Sequence, residues 1–117
     1  QRLTRKAAQV WADFDVILMP TLATPPPEIG AMRNDADPAA DFQAQTEFTP
    51  WTSSWNIIGK AAISVPLHHA RPDDDGPELP FGVTFGSVPA GGEDVLISLA
   101  AELERAAPWA HRRPTLT

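Results

Sequence analysis

The chain has no cysteine and no tyrosine, and only nine Lys and Arg stand against fifteen Asp and Glu. Without thiols there are no disulfide staples and no thiolate metal sites, which suits a reducing compartment; with no export signal visible, the expectation is a cytoplasmic protein. A formal charge of −6 excludes a nucleic-acid surface, because phosphate binding needs a basic stripe that releases counterions. It disfavours anionic membrane surfaces for the same reason. No apolar run approaches the roughly 20 residues of a membrane span. Gln1 to Lys6 leads into an amphipathic pattern and not into the apolar stretch of a signal peptide. At 117 residues, 43% of them hydrophobic, one small domain is the expected unit, residues 1–117.

Proline is abundant at thirteen residues, most of them in three clusters that mark loops: Pro20 to Pro27, Pro66 to Pro80 and Pro108 to Pro114. Between them the periodicity is legible. Leu3, Ala7, Val10, Trp11 and Phe14 recur at helical spacing from Arg2 to Phe14. Val16 to Met19 is a continuous apolar run that Pro20 ends, which predicts a strand buried on both faces. Residues 23–47 hold Pro25 to Pro27, Gly30, Asn34 and Pro38 without periodicity and predict one long surface loop. Thr49 before Pro50 reads as an N-cap and first helical position, opening a helix to about Ile58 that Gly59 ends. Ala62 to Val65, and Phe81, Val83 and Phe85 in period two, predict a hairpin of two strands. Gly91 and Gly92 precede a helix with Val95, Leu96, Leu99, Leu103 and Ala106 on one face, and residues 108–117 read as a loose tail.

The chemistry-bearing residues are sparse. Ser53 and Ser54 lie inside a helical stretch without flanking Gly, so no sharp turn exposes a nucleophile. Lys60 follows a helix-ending Gly, where an ammonium offsets the helix dipole. His68 and His69 near Asp73, Asp74 and Asp75 resemble a metal cluster only superficially, since neighbours on a strand point to opposite faces; no metal and no cofactor is expected. Glu102 and Glu104, two apart on a helix, cannot converge as an acid/base pair.

One ordered set of segments stands out. It comprises Phe14 to Thr21, the block in which Asn56 precedes Gly59 and Ser64-Val65-Pro66 closes a strand, Leu79-Pro80-Phe81-Gly82, and the last amphipathic helix. In this order they resemble the C-terminal part of amidase-signature hydrolases, with Lys60 and Ala61 departing from the family's usual residues after Gly59. The resemblance implies an α/β fold fragment in the order α-β-loop-α-β-β-α, with a mixed sheet flanked by helices. It implies that the parent enzyme hydrolyses small-molecule amides through a Ser, a second Ser in a cis peptide and a Lys. All three belong to a region upstream of the one represented, so no catalytic residue is expected in this chain and it should be inactive alone.

The absent initiator Met and the start inside a helix fit a piece of a longer protein. The resemblance also makes Thr52 and Trp55 substrate-binding wall residues of the acyl channel, whereas Trp51 and Trp55, four apart, could equally fill a core. Asn56 is expected to bond backbone in the turn before Gly59. Exposed apolar faces predict self-association. The prevalence of Arg over Lys, with abundant Ala and Pro, suggests a bacterial source. The alternative is a stand-alone, non-catalytic binding module that makes contact through the Pro-rich loop from Ala23 to Pro38.

Overall fold

The computed structural model describes residues 2–113. Four helices and three strands follow the order α1 (Arg2–Val10), β1 (Val16–Pro20), α2 (Pro38–Phe48), α3 (Thr52–Ile58), β2 (Ala62–Ala70), β3 (Leu79–Ser87) and α4 (Glu93–Ala106). The strands form one sheet in the order β1-β3-β2, antiparallel throughout, with Leu18 opposite Phe85 and Ser64 opposite Thr84. The α/β class and the β2–β3 hairpin are as expected, and the parallel pairing that a mixed sheet needs is not among these three strands.

β3 is the central strand, so its alternation decides what each face carries. Val83 and Phe85 point to one side, where Val65, Ile63, Leu96, Leu99 and Leu103 join them in the main apolar core under α4. Gly82, Thr84 and Gly86 point to the other side, toward α1 and α3. α4 begins after Gly91 at φ 69, carries Glu93 and Asp94 in its first turn, and buries Leu96. Val95, expected on the buried face, is half exposed. β2 tolerates Pro66 because it is an edge strand, and the ladder shifts register by a bulge between Val65 and His68.

Four expectations are corrected. β1 is an edge strand and not an interior one: Leu18 is 64% exposed, because β3 takes the middle position and pairs with both neighbours. The stretch 23–47 is not all loop, since Pro38–Phe48 is α2. The cause is local capping, with Asp37 accepting from the N–H groups of Ala39 and Ala40 at 3.1 Å each and Pro38 opening the first turn. Thr49 caps the end of α2 and not the start of α3; its N–H and its hydroxyl both donate to Gln45 O, at 3.0 and 2.9 Å. Pro50 cannot extend α2, so the chain breaks and α3 restarts at Thr52. The tail is not loose over its described part: Trp109 packs against the core, and Arg112 bridges Glu78 at 2.8 Å. The rest of the tail lies outside the described residues.

The start of the sheet is knitted by backbone bonds. Ser87 N–H donates to Ala61 O at 2.9 Å, Val88 N–H to Asp15 O at 3.0 Å, and the Lys60 ammonium to Val88 O. Lys60 is thus a tether between two turns, which gives its charged side chain a structural place after Gly59.

Candidate functional site

α3 is seven residues long, too short to be stable alone, and its position comes from one side chain. Trp55 is 5% exposed. A Cβ at Gly86 would lie 2.0 Å from its indole, so the ring rests against bare backbone of the central strand. The other side of the indole stacks on Trp11, just beyond α1, with ring centroids 5.4 Å apart and planes 21° off parallel. Its Nε1–H donates to Met19 Sδ on β1 at 3.2 Å. One residue therefore joins α1, α3, β1 and β3. Gly59, at φ 65, ends α3 with its N–H on Trp55 O at 3.0 Å and turns the chain into β2.

Of the two expected wall residues, Trp55 is thus enclosed, while Thr52 sits partly exposed at the start of α3 with its hydroxyl donating to Thr49 O at 3.4 Å. Asn56 is exposed and has no hydrogen-bond partner among the described residues, so the Gly59 N–H holds the turn that Asn56 was expected to tie. Ser53 and Ser54 are exposed. His68 stands opposite Phe81 and His69 opposite Pro80, successive register positions on opposite faces.

Beside Trp55, on the same sheet face, lies a hydroxyl trio that the sequence reading missed. Thr21 Oγ1, just past the end of β1, lies 2.6 Å from Ser64 Oγ on β2 and 2.8 Å from Thr84 Oγ1 on β3. Gly82 makes room for it: a Cβ there would fall 2.6 Å from Thr21 Oγ1 and 2.8 Å from Ser64 Oγ. The signal was present in period two, with Ser64 opposite Thr84 and glycines on either side of Thr84. Three hydroxyls sharing two bonds keep one proton and several lone pairs for another partner, a set suited to holding an amide. The trio includes no imidazole, amine or carboxylate to withdraw a proton, so it can orient a substrate but cannot make a nucleophile by itself.

The family model described as Amidase matches residues 1–96, which include α1, the α3 turn, the hydroxyl trio and the whole sheet. The chain belongs to the amidase family. It is 34% identical over 115 residues to a Mycobacterium bovis protein named "Putative amidase AmiB2", covering 98% of this chain and 23% of that protein. It is 39% identical over 110 residues to "Putative amidase AmiA2" of the same species, covering 94% of this chain and 21% of that one. The 6-aminohexanoate-cyclic-dimer hydrolase of Paenarthrobacter ureafaciens is 34% identical over 118 residues, covering 95% of this chain and 23% of that enzyme. These relatives are bacterial, and the chain spans less than a quarter of their length.

The contact of Trp55 with Gly86 can be tested directly. Gly86→Ala should destabilise the chain by roughly 1–3 kcal/mol, because the added methyl overlaps the indole and forces it from its seat. Urea unfolding of the two proteins measures this, and equal midpoints would refute the packing account.

Proposed function

We propose that this chain is the substrate-walling part of a cytoplasmic amide hydrolase, non-catalytic by itself, in which α3 borders the channel for the acyl part of a small-molecule amide. The observation that carries the reading is the seating of α3: Trp55, locked between Gly86 and Trp11, fixes this short helix over the hydroxyl-bearing sheet face, inside the region that matches the family. Of the two wall residues, Thr52 is the one left able to meet the substrate. Trp55 shapes the wall by holding the helix in place. The Ser-Ser-Lys machinery of the reaction belongs to other parts of the enzyme.

The surface supports an incomplete body. The chain exposes 8708 Å², where a compact monomer of its mass exposes about 6,200 Å². Its radius of gyration is 16.8 Å, against about 13 Å for a compact domain of this length. Leu3, Val10, Phe14 and Leu18 are each about half exposed or more, along α1 and the edge strand β1. Apolar area of this kind is covered in a stable protein, by more of the enzyme or by another copy.

Three outcomes are expected. The purified 117-residue chain should show no turnover of generic anilide or ester substrates, and a rate that a serine-directed phosphonyl reagent abolishes would sink the non-catalytic reading. In a longer enzyme that carries this segment, Thr52→Val should raise KM for amides several-fold with little change in kcat. A fall in kcat at constant KM would remove Thr52 from the wall. The isolated chain should also self-associate, seen in light scattering as a mass that rises with concentration and falls again in Leu18→Lys; a monomer at every concentration contradicts this.

A further inference from the structure

A cavity of about 750 Å³ lies at the β2 edge of the sheet, between the far end of the β2–β3 hairpin and the segment that follows α4. That segment is anchored at two points. Trp109 packs on the core, Arg112 N–H donates to Trp109 O at 2.9 Å to close a turn, and Arg112 reaches Glu78 at 2.8 Å. Trp109 lines the cavity, and Pro66, Pro77 and Pro80 supply rigid apolar lining beside it.

The charge pattern is unusual for so acidic a chain. Among the described residues, the ionisable side chains lining the cavity are His69, Glu78, His111, Arg112 and Arg113. The acidic run Asp73 to Asp75, in the hairpin turn, is not part of the lining. Glu78 is matched by Arg112, which leaves Arg113 as surplus positive charge. Among the described residues the Arg113 side chain makes one hydrogen bond, from Nε to Ala110 O at 3.4 Å, so the paired N–H groups of its exposed guanidinium fork face solvent and are free to take a ligand. A guanidinium, an indole and three prolines lining one cavity suit one ligand chemistry: a flat apolar body ending in a carboxylate.

We infer that this cleft binds small aromatic carboxylates, the carboxylate on Arg113 and the ring on Trp109, with His69 and His111 as flanking hydrogen-bond partners. It stands apart from α3 and the hydroxyl trio, and it does not depend on the amide-hydrolase reading. The volume accommodates a two-ring ligand, and the cavity size lies in the usual range for small-molecule sites.

The test is calorimetric titration of the purified chain with 2-naphthoate, at a protein concentration below any self-association. Saturable binding is expected, at least about tenfold tighter than for 2-naphthamide, which keeps the shape and loses the charge. Arg113→Gln, at an exposed position, should weaken naphthoate binding by about tenfold with an unchanged circular dichroism spectrum. Trp109→Leu should do the same for naphthoate but leave the weak binding of inorganic phosphate untouched. Equal affinity for the amide, phosphate binding as tight as naphthoate, an unaffected Arg113→Gln protein, or no saturation each overturns the inference.

Discussion

Everything on the α3 side of the sheet depends on an indole seated against bare backbone. A strand presents a flat apolar surface to an aromatic ring only where a side chain is missing, and Gly86 provides that gap in the middle strand, where the cost of a glycine in a sheet is offset by burying an indole. Because Trp55 then contacts Trp11 above and Met19 beside it, the helices and strands of this face are not separate layers that happen to meet. They share one buried side chain. The second glycine of β3, Gly82, repeats the device with polar groups, clearing space for Thr21 to reach Ser64 and Thr84. Two glycines on one face of the central strand thus set both the packing and the polar floor beside it.

Much of this was readable in the chain, and the failures have physical causes. Period-two alternation gave the hairpin, and the glycine after Ile58 gave the left-handed helix end, because both are decided by neighbours in sequence. The position of β1 was misjudged because a continuous apolar run says that a strand will be covered without saying by what; here one of its sides faces away from the described chain. α2 was hidden by composition: its stretch lacks an apolar stripe, and the helix rests on the Asp37 cap and on side-chain bonds between residues four apart, Gln43 with Glu47 and Gln45 with Asp41. Trp55 was left open between wall and core, and only the clearance at Gly86, set by a residue 31 positions away, decides its environment. The hydroxyl trio escaped for the same reason, since Thr21 is brought to Ser64 by the sheet and by nothing local.

The two faces of the sheet also differ in how complete they are. Under α4 the core closes, with Leu96 at 2% exposed and Trp109 folding back to seal its rim. On the other side Trp55 and Ile58 are the enclosed residues of α3, while α1 has no buried residue at all and β1 keeps an apolar edge. A chain that spends its apolar residues this way is stable where α4 lies and depends on further contacts where α1 and β1 lie. That asymmetry is what a family segment spanning less than a quarter of its relatives' length would show if its open side meets the remainder of the enzyme.

This arrangement also separates shaping a site from reacting in it. A serine or threonine becomes a nucleophile only beside a base and at an exposed turn. The trio has neither, for Thr84 is buried in the strand and two of the three hydroxyl protons are already spent within the trio. What hydroxyls can do when held rigidly is orient an uncharged amide, because they offer donor and acceptor together without placing a charge in the pocket. On the proposed reading, a partly exposed threonine and a hydroxyl floor, with the buried Trp55 holding α3 in place, select shape and orientation and leave proton transfer to groups with the basicity to perform it. The division is physically economical: the apolar packing that makes α3 rigid would raise the cost of a charged base buried in the same place.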